Sequence, residues 1–481
     1  MRKALAALAA ALIPALAAPA LADTLLDNVD GVTLGQDGRL VRFSGLLIDD
    51  DGRIAQVLQR KDKRPRRTDF VIDGKGRFVI PGLIDSHIRL MDVALAALSD
   101  AQVGQAMPAP RPEDRDVALG KVQRLLAAQG ITAVADMGTT IEDWQTYRRA
   151  GDKGGLYLRI MAYAADIPTL ALIAGPRPTP WLYDDRLRAG GLHLVLDGPF
   201  ETRSAALNAP YADAPVSAQV RSGTMRYNDT QLRNLMSRAA MDGFQLAVSA
   251  HGDAASASVL GAFTELSLTY GTGRRWRIEA MQLAAPADMA EYGRLGAIAS
   301  LAPGRLADES KAAEARLGSA RLGELQPWRS LAQGGAKLVF GSGEGNRPQA
   351  PLAAVAAAIS REDENGQPFG GWQPQERLAD RVDALAAYSA DGAFAGFADG
   401  RFGRLVEGER ADFVMLGSDP LLAPPSELRT MRVVETWIGG RKIYDAFAPP
   451  PAEASPPVKQ LPAAGLPAAV VPAVPAPAAS R

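Results

Sequence analysis

The chain has 481 residues, 47% of them hydrophobic, enough to bury one or more large cores. Its 53 basic and 54 acidic side chains leave a net charge of -1, which argues against nucleic acid or an anionic membrane as partner and favours a small-molecule ligand or protein contacts. There is no cysteine, so disulfides and thiolate metal sites are excluded, and only three histidines are available for imidazole chemistry.

At the N-terminus, Arg2 and Lys3 precede an Ala/Leu run that ends in Ala20-Leu21-Ala22, the pattern of a cleaved secretory signal over residues 1–22. Pro14 and Pro19 interrupt this run, and it is short for a transmembrane helix of about 20 residues. The expected mature chain starts at Asp23 in a bacterial periplasm or outside the cell, with no stable membrane insertion. Between Leu25 and Phe78, short alternating runs separated by turns such as Asp51-Gly52 predict small antiparallel strands. Basic residues 60–67 fall between two such strands and are expected to form a solvated loop.

Eight strand-like apolar runs follow, at 78–84, 131–137, 156–162, 192–196, 245–249, 276–279, 297–301 and 337–340. Helical stretches such as 117–129 and 230–241 lie between them, which predicts an α/β fold, a (β/α)8 TIM barrel over residues 81–403 with functional residues at the carboxyl ends of its strands. Strand-and-turn segments return at 411–416 and 433–438, so residues 23–80 and 404–445 are expected to pair into a small β-sandwich domain built from both chain ends. From 446 to 481 the chain is mostly Pro and Ala, the composition of a disordered tail.

The segment Val79-Ile80-Pro81-Gly82-Leu83-Ile84-Asp85-Ser86-His87 resembles the first barrel strand of the amidohydrolase superfamily, in particular the amidohydrolase 3 branch that includes N-substituted formamide deformylases. Further matches follow in order: Gly130-Ile131-Thr132-Ala133-Val134, Asp197-Gly198, Arg277-Ile278-Glu279, Phe340-Gly341-Ser342 and the stretch from Gly403 to Asp412. The resemblance implies a metal-dependent hydrolase of non-peptide C–N bonds. It also implies six metal-ligand positions, and this chain keeps few of them. The HxH pair of the first strand is His87 and Arg89, and a guanidinium offers no lone pair to a cation. The bridging carboxylated lysine corresponds to His193, the fifth-strand histidine is His251, the sixth-strand histidine is Ala280, and the eighth-strand aspartate is Gly343 with Glu344 one residue late.

A two-metal centre is therefore not expected, because two close cations need several anionic ligands to offset their repulsion. The residues leave three readings open. His87, His193 and His251 hold a single zinc ion with one place for water. Alternatively no cofactor is bound, the histidines make ordinary hydrogen bonds, and Arg89 balances Asp197, Glu279 or Glu344. In the third reading, Glu344 or Glu279 is a general base and Arg89 an oxyanion partner, with Asp197 and Arg89 as substrate-binding groups. The corresponding function classes are a hydrolase with a reduced or rewired centre and a catalytically inactive barrel that binds a small molecule or protein. Restoring Arg89→His, Ala280→His, Gly343→Asp and His193→Lys together is expected to raise zinc binding if the backbone keeps the family geometry.

Overall fold

The computed structural model describes residues 23–98, 110–345 and 347–448. The expected signal segment and nearly all of the Pro/Ala tail lie outside them. Eight parallel strands form the nearly closed barrel, neighbours in sequence being neighbours in space: Leu83–Ile88, Ile131–Thr139, Arg159–Ala164, Leu187–Val195, Gln245–Ser249, Arg277–Glu279, Ile298–Leu301 and Lys337–Phe340. Nearly every strand residue is buried, which is why these segments appear as continuous apolar runs rather than alternating ones.

The run 78–84 is not a single strand. Phe78–Pro81 pairs with Phe413–Leu416 in a second sheet, and the barrel strand starts only at Leu83. Gly82 marks the crossing: its N–H donates to the Asp412 carbonyl at 2.8 Å, and a Cβ there would stand 2.2 Å from Thr132 Oγ1. An apolar run has no period that separates two buried strands, so only the glycine hints at the break. The third barrel strand also starts later than expected and the fourth earlier, at Arg159 and Leu187.

The second sheet draws on both ends of the chain. Thr24–Leu34, Leu40–Ile48, Ile54–Leu58 and Phe70–Asp73 join Phe78–Pro81, Phe413–Leu416, Val433–Ile438 and Arg441–Asp445 in one eight-stranded mixed sheet. Its core is formed by Leu26, Leu46, Ile54, Phe413 and Trp437. A fully buried ion pair fastens it to the barrel: Arg159, at the start of the third barrel strand, donates to Asp412 at 2.5 and 2.8 Å. Within the basic segment 60–67, Arg64 departs from the expected solvated loop, donating to Asp27 at 2.8 Å and to Ser44 Oγ at 2.9 Å. No described helix is long and apolar enough to cross a membrane.

Between barrel strands lie amphipathic helices with local start signals. Asp229–Met241 begins at a capping box, in which Asn228 accepts from the Gln231 N–H and Gln231 accepts from the Asn228 N–H. Inside the barrel, residues two apart on a strand share a face, so Arg277 and Glu279 both point inward. They form a buried ion pair, and Arg277 also donates to the Ser86 carbonyl at 2.6 Å and to Tyr163 Oη at 3.2 Å. This polar column rises along the barrel axis and ends at His87 in the mouth.

Candidate active site

His87 stands at the end of the first strand, its side chain 1% exposed, with Nδ1 2.8 Å from Glu279 Oε2. That contact leaves Nε2 facing the mouth, buried and without a partner among the described residues. Burial would push the Glu279 carboxyl up, but Arg277 and then His87 outweigh it and hold the group down at about 2. Glu279 is thus held as an anion against His87 and Arg277. His193 shares a hydrogen bond of 2.9 Å with Ser249 Oγ. Burial, aided by the neighbouring His87, pushes its imidazole down to about 3, so it stays neutral with a lone pair to offer.

Asp197 was a candidate substrate-binding residue. Its oxygens instead accept from the N–H groups of His251, Gly252 and Ala206 at 2.7, 2.9 and 2.8 Å, and Oδ1 lies 3.2 Å from His251 Nδ1. The carboxylate is spent on holding His251, whose Nε2 is thereby turned toward Glu344 Oε2 at 3.8 Å. Burial lowers the His251 pKa, yet the hydrogen bond it donates to Asp197 and the charge of Glu344 leave it raised overall.

Glu344 stands beside two of the three histidines. Gly343 takes a left-handed φ of +72°, and beyond it the chain brings the Glu344 carboxylate to the histidines. Ligand atoms of His87, His193 and Glu344 lie within 4.8 Å of one another, and Glu344 Oε1, like His87 Nε2, is buried without a partner. His251 is not among the three; its Nδ1 lies 3.2 Å from Asp197 Oδ1 and its Nε2 3.8 Å from Glu344 Oε2. Two orphaned donor atoms and a neutral imidazole fit one divalent ion, and no second such group occurs among the described residues. Arg89 stands near the trio, and after Asp92 the charge of Glu344 acts on it, as one of the readings expects. Its Nε donates to Asp92 at 2.6 Å, in the first turn of Leu90–Ala96, rather than to Asp197, Glu279 or Glu344. It still lines the mouth, since a Cβ on Gly138 would stand 3.5 Å from its Nη1 and 3.6 Å from His193 Nδ1.

Where the sixth- and eighth-strand ligand positions have become Ala280 and Gly343, the space is open. A cavity of about 70 Å³ lies there, bordered by His251, Glu344, Gln282, Arg305 and Glu309. Sequence reasoning missed its far wall. Glu309 is 1% exposed and accepts from Gln282 Nε2 at 2.9 Å and from Gln326 Nε2. Burial, with Glu201 nearby, pushes its carboxyl up to about 7. Arg305 links the two walls, with Nη1 donating to the Glu344 carbonyl at 3.1 Å and Nε 3.9 Å from Glu309. These residues come from loops and a helix after the sixth and seventh strands, where no pattern in the sequence marks them.

Residues 89–444 match the amidohydrolase family. The chain is 29% identical over 349 residues to Protein LONG AFTER FAR-RED 3 of Arabidopsis thaliana, covering 69% of this chain and 58% of that protein. It is 25% identical over 351 residues to the N-substituted formamide deformylase of Arthrobacter pascens, covering 70% and 62% respectively. The chain therefore spans about three-fifths of the length of these two relatives. Among solved structures, a metal-dependent hydrolase from Pyrococcus horikoshii OT3 superposes with a TM-score of 0.71 at 19% identity, over 84% of this chain and 99% of that one, a likeness of fold. With the family match running from Arg89 to Tyr444 and an eight-stranded parallel barrel carrying histidines in its mouth, the chain belongs to the amidohydrolase family.

Proposed function

We propose that this protein is an exported hydrolase of non-peptide, amide-like C–N bonds, working with a single divalent metal in place of the pair its family resemblance implies. The observation that carries the reading is the trio His87, His193 and Glu344, with two buried donor atoms that lack partners. A bound divalent ion there would supply Lewis-acid polarisation of the scissile carbonyl and a water of lowered pKa. His87 is oriented for this by Glu279 and His251 by Asp197, in the manner that carboxylates fix histidine tautomers at metal centres.

In this reading Glu344 and His251 form the proton path. Glu344 accepts the proton of the attacking water, and His251, facing it at 3.8 Å, carries that proton to the departing nitrogen. Glu309 holds a proton close to neutrality on the far wall, and Arg305 orients the acyl group between the two carboxyls. The cavity of about 70 Å³ favours a small acyl portion, in keeping with a relative named for deformylation. Export is supported by the signal pattern of residues 1–22.

Elemental analysis of protein purified without chelator, combined with formate release from an N-substituted formamide, tests this. The expected result is about one zinc per chain and hydrolysis that disappears in Glu344→Gln. Zinc-free protein that hydrolyses nothing even after zinc is added would sink the proposal. Arg89, placed beside His193, favours in that event the alternative of an inactive barrel that binds a small molecule.

A further inference from the structure

The opposite end of the barrel holds a much larger space. Where the third and fourth strands begin, a cavity of about 470 Å³ lies between the barrel and the turns of the mixed sheet, within the roughly 300–1,000 Å³ range typical of small-molecule sites. Its walls include Arg159, Arg186 and Arg410 together with Tyr157, Tyr183 and Ile443.

The guanidinium groups here outnumber the carboxylates that pair with them. Arg159 is matched by Asp412. Asp185 alone serves three arginines, Arg53 at 3.1 Å, Arg401 at 2.6 Å and Arg410 at 2.8 Å. Arg186 has no carboxylate within ion-pair distance among the described residues, and its one partner is the Tyr157 carbonyl. Of these five guanidiniums around two buried carboxylates, Arg159, Arg186 and Arg410 line the cavity. Asp50, Asp51 and Asp184 border the same space but are exposed, where water screens them. Burial, reinforced by Arg159, pushes the Arg186 guanidinium down to about 10 against the smaller pull of Asp412 and Asp184, neither of which forms an ion pair with it.

The backbone beside it is strained. Tyr183, Asp184 and Asp185 are consecutive non-glycine residues with φ of +53°, +55° and +63°. Such residues persist only where their surroundings hold them, and Arg159 holds this turn by donating to the Asp184 and Asp185 carbonyls at 2.8 and 3.1 Å. Tyr183 on one wall is fixed by Arg148, which donates to its hydroxyl at 2.7 Å, and by Asp152, which accepts from it at 2.6 Å.

We infer that this cleft binds a small organic oxyanion, a carboxylate or phosphate on a flat apolar body, with Arg186 as its charge partner and Tyr157 and Tyr183 against its ring. The site is independent of the metal centre and of the proposed hydrolysis.

Isothermal titration of the full chain with phenyl phosphate, benzoate and neutral benzamide tests it. At least one anion is expected to bind while benzamide does not, and Arg186→Gln is expected to weaken that binding by about tenfold or more, with Arg186→Lys losing less because it keeps the charge. Binding of phenyl phosphate alone assigns the ligand as a phosphate, and of benzoate alone as a carboxylate. If neither anion binds the unmodified protein, or if the two Arg186 variants bind as tightly as it does, the inference is overturned. Should Arg186→Gln fail to fold, Arg186→Lys and the benzamide control still decide.

Discussion

The two sides of the barrel mouth are built differently. On the first, fourth and fifth strands, each histidine remains and each is held by a partner from within the fold: Glu279, Ser249 or Asp197. On the sixth to eighth strands the ligand positions are Ala280 and Gly343, and the vacated space is lined by Gln282, Glu309 and Gln326. Glu344 alone crosses over, joining the retained side.

The contrast is broken most severely by removing the charge beneath the retained side. Glu279→Gln would leave Arg277 fully buried without its counter-ion, a loss of about 3–5 kcal/mol in unfolding free energy that denaturant titration would read. Unchanged stability would mean that the polar column does not support the mouth. Next in size is the crossing residue: Glu344→Gln should weaken zinc binding by more than the roughly 100-fold that losing a supporting partner costs, measured by competition with a chelator. An equal affinity in the variant would return the centre to histidines alone.

The emptied side is probed by pH. Glu309 has its folded pKa raised to about 7, so the stability it contributes is present below its ordinary value near 4.5 and is lost as pH rises through 7. Glu309→Gln should therefore gain on the unmodified protein between those limits by up to about 1.4 kcal/mol per pH unit, seen as converging and then crossing melting curves. A constant difference across that window would remove Glu309 as a proton-holding group. The smallest effect is expected outside both sides: cutting the chain after Pro449 should leave the melting temperature unchanged, since a Pro/Ala tail offers few contacts to lose.

Much of this barrel is legible in its residues, because buried parallel strands appear as unbroken apolar runs. The break at Gly82 is not, since both halves of that run are buried in different sheets. The three histidines stand out because they are so few. Their partition is hidden, because it depends on which side of His251 Asp197 occupies and on the left-handed turn at Gly343 that redirects Glu344. That turn also revises the expected rescue. A side chain at position 343 would strain its φ of +72° and place a Cβ 3.0 Å from that of Ala302, so Gly343→Asp is the weak member of the fourfold restoration. Glu309 and Arg186 carry no sequence signal because each acquires its character from neighbours remote in the chain.

The first and last barrel strands share no ladder, and past their ends the Gly343 N–H donates to the His87 carbonyl at 2.9 Å while Ser342 donates to Asp85 through its N–H and hydroxyl at 2.9 and 2.5 Å. His87 and Glu344 therefore sit on opposite lips of the barrel's one seam. An ion shared between them would act as a clasp, so the occupancy of the centre and the frequency with which the barrel breathes open become a single quantity, readable as amide hydrogen exchange at the ends of those two strands.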